Sequence, residues 1–367
     1  MSKKVIISVT NDLETDQRVH KVTNFLYSQG YEVLLVGRKL KSSSADFSRD
    51  YPTKRMRLWF SHGPLFYAEY NIRLFLFLLF ASYDILLSND TDTLLANYYA
   101  SKIRRKKLVF DAHELFPEVP ELQGRKSVQK VWELIERHIF PRLKYAYTVC
   151  ASISDYYKEK YGIEMHVVRN VTYKKDFSKV ESQKFFTGKK ILLYQGAVNV
   201  GRGLEYVIDA MPFLDDFVLM IVGTGDIIND LEQRVHRLKV DDRVVFVGKV
   251  PFERLDQYTV MATIGLSILD NQGLSYYYSL PNRIFDFVQA GVPILASDFP
   301  EIHRVIESYK IGEFAKDLSP EKLANQIKDM ADKWENNPNK KQLFAVAADE
   351  LNWENESKII RGIFEKL

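Results

Sequence analysis

The sequence predicts an α/β protein made of two doubly wound units, and three observations carry this. Short β-branched runs alternate with helical patterns from Lys3 to Val168, and the same layout resumes at Lys190. Between the two series, residues 169–188 turn polar and lose all periodicity, as a linker does. The chain has 367 residues, more than one hydrophobic core usually organises, so two domains are expected.

Composition narrows the classes. Hydrophobic residues at 46% and charged residues at 27% are those of a soluble globular protein. A net charge of +3 is too small to argue for nucleic acid, but it suits phosphorylated ligands or an anionic membrane surface. The single cysteine, Cys150, excludes an intrachain disulfide framework and fits a reducing cytoplasm, where it packs as a small apolar residue. No signal peptide is recognised before Lys3, and the longest apolar run, Leu74 to Ser82, falls short of the ~20 residues of a membrane span.

In the first series, Lys3 to Thr10 is a strand and Val19, Val22, Phe25 and Leu26 form one face of a helix. Tyr31 to Gly37 is the next strand, closing a βαβ unit of about 35 residues. No G-x-G-x-x-G follows the first strand, so the dinucleotide fingerprint is absent. Residues 11–18 form a polar loop at the strand's carboxyl end, where α/β folds bind ligands; Arg18 is either an anion contact or a solvated first-turn arginine. Residues 64–82 read as a helix apolar nearly all round, which we assign to the core rather than to a membrane surface. Tyr83 to Ser88 is a strand and Thr91 to Ile103 a helix, with Asp90 and Thr91 as its cap. Residues 104–107 are a basic turn, either solvated or in contact with anionic lipid. Strand Lys107 to Phe110 then delivers Asp111, His113 and Glu114 to a loop, a polar constellation that packing does not require.

In the second series, the strand Lys190 to Gln195 runs into Gly196 and a turn holding Gly201, Arg202 and Gly203. Phe217 to Val222 ends at Gly223 and Gly225, Val244 to Val247 at Gly248, Lys249 and Val250, and Ile264 to Leu269 at the loop before Gly273. Glycines allow close backbone approach, so four small-residue tips on one sheet edge suggest a rim for a nucleotide. The stretch from Ser279 through Leu280, Pro281, Asn282, Arg283 and Asp286 to Gly291 reads as loop, helix and glycine stop, with Pro281 in the first helical turn and the helix start aimed at a phosphate.

These motifs resemble the large bacterial glycosyltransferase family 4. The resemblance runs from Asp16-Gln-Arg18 through residues 111–118 to 280–293, the last close to the family's L-P-N-K-x-x-E-Y-x-x-x-G-x-P form. It implies the GT-B architecture, two Rossmann-like domains facing across a cleft: residues 1–170 with the final helix 353–367 for the acceptor, a linker at 171–188, and residues 189–352 for the nucleotide-sugar donor. It implies that His113 and Asp286 are the active-site residues, Asp286 holding the ribose. Gly196 and Arg202 would lie by the donor diphosphate, Gly223 and Gly225 at the nucleoside, and Lys249 and Val250 beside the base. Ser279, Leu280, Asn282 and Arg283 would lie at the phosphate end, and Asp16, Arg18 and Glu114 on the acceptor side.

The chain departs from the pattern in three places. The first glutamate of the family's E-x7-E falls at Tyr278, the arginine after the first glycine is Ala197, and the second glutamate is the shorter Asp286. The expected activity is retaining transfer of a hexose from a nucleoside-diphosphate sugar to a glycan or lipid-linked acceptor in cell-surface polysaccharide synthesis. A nucleotide-sugar 2-epimerase and a non-catalytic nucleotide-sugar-binding scaffold are the alternatives. No cofactor or obligatory metal is expected, although Asp90-Thr-Asp92 spells a D-x-D. The expected location is the cytoplasm, with peripheral contact at the inner face of the membrane.

Overall fold

The computed structural model describes residues 2–14, 16–40, 43, 47–119, 122–177, 180 and 188–367. Two compact units emerge, Met1–Asn170 with Ser357–Leu367, and Val171–Glu356. Most of the polar centre of the expected linker, 181–187, lies outside the described residues. The part before it is tied down: Val171 and Thr172 are buried, and Lys174 and Lys175 pair with Asp349 and Asp256 at 2.6 and 2.7 Å.

The first unit runs β1 (Lys4–Asp12), α1 (Gln17–Ser28), β2 (Glu32–Arg38), β3 (Thr53–Met56), α2 (Gly63–Phe80), β4 (Ile85–Asn89), α3 (Asp90–Arg104), β5 (Lys107–Ala112), α4 (Lys126–Ile139), β6 (Tyr145–Thr148), α5 (Ala151–Tyr161) and β7 (His166–Val167). Its sheet has the order β3-β2-β1-β4-β5-β6-β7, every ladder parallel. The order reverses between β1 and β4, the switch point at whose carboxyl ends α/β sheets bind ligands. Strand β3, too short and charged to show periodicity, was not expected from the sequence. Cys150 is fully buried, as expected.

Helix α2 corrects the reading of an all-round buried helix. Its buried residues are Phe66, Tyr70, Leu74 and Leu78, one stripe at four-residue spacing against Ile6, Leu86 and Ala96. Each such side chain contributes about 1.5–3 kcal/mol of burial. Leu65, Ile72, Leu76 and Phe80 remain exposed, Phe80 at 86%. The basic turn is likewise half committed: Arg104 bonds the Leu79 and Ala81 carbonyls and Lys106 pairs with Asp84, leaving Arg105 and Lys107 exposed.

The second unit runs β8 (Lys190–Gln195), α6 (Leu204–Ala210), β9 (Phe217–Val222), α7 (Ile228–Leu238), β10 (Val244–Gly248), α8 (Phe252–Thr259), β11 (Ile264–Ser267), α9 (Leu274–Tyr277), α10 (Asn282–Ala290), β12 (Ile294–Ala296), α11 (Pro300–Tyr309), β13 (Gly312–Phe314), α12 (Pro320–Glu335) and α13 (Lys340–Glu350). The sheet order β10-β9-β8-β11-β12-β13 is again parallel throughout, so the glycine-tipped ends of β8 to β10 and the end of β11 share one edge. Elements α9, α11 and β13 were not read from the sequence. The last helix, α14 (Trp353–Phe364), begins in the second unit and continues in the first. There the Tyr31 and Phe364 rings meet edge to face at 5.6 Å.

Candidate active site

In the first unit the loops after β1, β4 and β5 converge. Arg18, in the first turn of α1, is buried and grips Asp111 at the end of β5: Nε donates to Oδ2 at 3.0 Å and Nη2 to Oδ1 at 2.7 Å. Nη1 donates to the Val168 carbonyl at 2.9 Å. This overturns the solvated reading and commits one N–H of each of the three nitrogens within the first unit. Burial alone would raise Asp111 and lower Arg18; their pairing reverses both, holding Asp111 down at about 2 and Arg18 above its ordinary value.

Asp111 in turn faces His113. His113 Nε2 lies 3.2 Å from Asp111 Oδ2 and 3.2 Å from Asn89 Oδ1, and Nδ1 lies 3.2 Å from Asp90 Oδ2. The Asn89 amide nitrogen is spent on the Ser8 carbonyl, so Asn89 presents its oxygen. A ring whose two nitrogens face only acceptors is held as imidazolium. Burial would lower its pKa, but Asp90 and Asp111 outweigh burial and push it up to about 10.

Asp90 is where the helix-cap expectation fails. The residue before α3 is Asn89, whose side chain caps nothing. Asp90 itself has φ +56°, an uncommon left-handed backbone for a non-glycine residue, of the kind that clusters at functional sites. That turn directs its carboxylate back to His113, whose backbone N–H it accepts at 2.7 Å. The other acid of the D-x-D, Asp92, accepts the Thr10 hydroxyl instead. Burial pushes Asp90 upward, opposed by the facing His113, and raises Asp92 to about 7. The Glu114 charge adds to the upward shift of Asp90 and Asp92. Asp16 caps α1 by accepting the Val19 N–H at 3.1 Å, and the exposed Glu114 accepts Tyr157 Oη at its carbonyl.

In the second unit the glycines are required by contact between loops. A Cβ on Gly223, at φ +148°, would sit 1.8 Å from the Gly196 carbonyl, and one on Gly225 would sit 2.2 Å from that of Val198. Bonds from the N–H of Gly196 to Val222 O and of Val198 to Thr224 O stitch the two tips together. Arg202 stacks its guanidinium 4.7 Å over the Tyr276 ring, and its Nε has no hydrogen-bond partner among the described residues. Tyr276 lies in the unexpected helix α9, so the tyrosine run that replaces small family residues orients a cation.

Helix α10 starts one residue later than expected, because Pro281 is its cap rather than part of its first turn; Ser279 and Leu280 precede the helix and Asn282 opens it, exposed. Arg283 is buried, 4.4 Å over the Tyr194 ring, donating to the Gln195 carbonyl at 3.2 Å and lying next to Gly196. It thus brings a cation under the loop where Ala197 stands in place of the family's arginine. Asp286 accepts Gln195 Nε2 at 2.9 Å, and Gln195 Oε1 accepts Thr259. Lys249 is exposed and Val250 half-buried beyond the end of β10.

The two halves match two family models, Glycosyltransferase Family 4 over residues 16–172 and Glycosyl transferases group 1 over residues 189–333. The chain belongs to the family 4-like GT-B glycosyltransferases. This glycosyltransferase is 26% identical over 131 residues to alpha-monoglucosyldiacylglycerol synthase of Streptococcus pneumoniae, a match covering 34% of this chain and 28% of that enzyme. Its fold is similar to sucrose-phosphate synthase from Thermosynechococcus elongatus, with a TM-score of 0.79, 16% identity and coverage of 99% and 98% of the two chains. It is also similar to Anabaena HepE in complex with UDP-glucose, with a TM-score of 0.72, 16% identity and full coverage of both chains.

Proposed function

We propose that the enzyme transfers a hexose, with retention, from a nucleoside-diphosphate sugar to a glycan or lipid-linked acceptor in cell-surface polysaccharide synthesis, in the cytoplasm at the inner face of the membrane. The observation that carries this is His113 set between Asp90 and Asp111 at one switch-point rim, together with the glycine rim of the second unit, where Arg202 Nε has no partner among the described residues. The UDP-glucose held by HepE and the lipid named in the pneumococcal synthase support the donor and acceptor classes.

In this scheme the donor lies along the rim of β8 to β11. Asp286, steadied by Gln195, accepts from the ribose hydroxyls. Gly223 and Gly225 let the nucleoside approach, with Lys249 and Val250 at the base. Arg202, Arg283 behind Gly196, and the amides near Ser279, Leu280 and Asn282 meet the diphosphate, so no metal is obligatory. The bond from the anomeric carbon to the phosphate oxygen breaks with its electron pair leaving on the diphosphate. The acceptor hydroxyl bonds to that carbon on the same face, and its proton passes to the departing phosphate oxygen. His113, with both ring nitrogens held by Asp90, Asp111 and Asn89, lends positive charge beside the sugar being transferred and does not act as a base.

The test is incubation with UDP-, GDP-, ADP- and dTDP-sugars and a set of acceptors, with and without EDTA, reading nucleoside diphosphate release and the anomeric configuration of the product by NMR. Retained configuration that survives the chelator is expected. A new sugar isomer would mean an epimerase, binding without turnover a scaffold, and loss with EDTA a metal on Asp90 and Asp92. His113→Ala should abolish transfer while leaving donor affinity nearly intact; an unchanged rate removes His113 from the mechanism.

A further inference from the structure

Between α2 and α4 of the first unit lies a cavity of about 680 Å³, within the range of ligand pockets. Its walls are Ala68 and Ile72 of α2, Leu95 of α3, and Val131, Trp132 and Ile135 of α4. Polar groups gather at Asn71, Thr91 and Asp92. Asp92 is 6% exposed, and its Oδ1 has no hydrogen-bond partner among the described residues, although Oδ2 accepts Thr10. Leaving a buried carboxylate oxygen unpaired is costly, so the site wants a donor that is not part of the described chain.

A second apolar cleft, of about 210 Å³, shares Asn71, Ile72 and Leu95 with the first and adds Phe75 and Tyr99. Beyond it, on the same two helices, Leu76, Phe80 and Ile103 are exposed at 50%, 86% and 61%. The apolar strip therefore runs from Asp92 to the far end of α2, beside the exposed cations Arg105 and Lys107. Isolated exposed hydrophobics need no explanation, but a contiguous strip opening from a cavity does.

Resting on the transferase reading above, we propose that this groove holds the hydrocarbon chain of a lipid-borne acceptor, with the hydroxyl-bearing head at Asp92, the acid whose neighbour Asp90 contacts His113. A peptide would need hydrogen bonds along its whole length, whereas most of the lining is apolar and the polar groups sit at Asn71, Thr91, Asp92, Arg125 and Ser127. An alkyl chain needs only apolar surface, with a polar group at one end.

The test is binding of monomeric octyl, decyl and dodecyl maltoside to the whole chain by calorimetry, with no donor present. Affinity should tighten by about four-fold for each added methylene. Ala68→Trp, which fills the groove, and Val131→Asp, which charges its wall, should remove that chain-length dependence. Both positions are solvent-exposed, and circular dichroism with a melting curve checks the fold. Equal affinity across the series, or a dependence that survives both substitutions in folded protein, overturns the proposal. So does binding to lipid vesicles without binding of the monomeric glycosides, which leaves only a surface contact. Chain binding without sugar transfer to any acceptor would remove the transferase reading and keep the groove; transfer to free sugars with no gain from a dodecyl chain would do the reverse.

Discussion

At the scale of single residues, the decisive arrangement is a relay of charge from Arg18 through Asp111 to His113. A buried ion pair is expensive to desolvate, and removing one partner leaves the other uncompensated. Arg18→Met should therefore destabilise the protein by about 3–5 kcal/mol in urea unfolding. A loss below about 1 kcal/mol, typical of exposed pairs, would contradict the buried geometry. His113 carries its own pH signature. Its pKa is raised in the folded state from 6.5 to about 10, so its stabilising charge is fully present below pH 6.5 and is lost as pH rises toward 10. The difference in unfolding free energy between wild type and His113→Gln should shrink over that window. A difference that stays constant would mean that the ring is neutral. Asp111 and His113 were legible as a polar constellation at a strand end, and Arg18 only as an arginine in the first turn of a helix. Their partnership was not, because Arg18 and Asp111 lie 93 positions apart and meet only across the switch point.

At the scale of elements, the glycine tips and helix α2 behave differently. Gly223 and Gly196 touch backbone to backbone, so Gly223→Ala should displace the β8 tip at a strain cost of about 1–3 kcal/mol. A lowered melting temperature and weakened nucleoside-diphosphate binding by calorimetry are expected together; wild-type affinity would separate the rim from the donor. A long run apolar nearly all round was read as the helix α2, but composition could not say which of its apolar residues are buried. A helix that is apolar all round has no polar face to mark the outside, so only packing against Ile6, Leu86 and Ala96 selected Phe66, Tyr70, Leu74 and Leu78. Its exposed face should bind vesicles containing anionic lipid, and Phe80→Glu with Leu76→Glu should reduce co-sedimentation several-fold. Retained binding would place the contact elsewhere.

At the scale of the whole molecule, residues 357–367 return to the first unit although 186 residues of the second intervene. Phe364 is 1% exposed there, so Phe364→Ala should cost about 3–5 kcal/mol, read as an earlier unfolding transition of the first unit. Two coincident transitions unmoved by the substitution would contradict that packing. By itself, the sequence determined the α/β class, the two series, the glycine rim and the motif at 280–293, because strand and helix periods and turn residues are local properties. Only the tertiary structure decided that Asp90 serves His113 rather than a helix end, that Tyr276 backs Arg202, that Arg283 lies under Gly196, and that α2 has an open side leading to Asp92. Those are contacts between distant segments at the switch points of parallel sheets, and no local pattern encodes which side chains meet there.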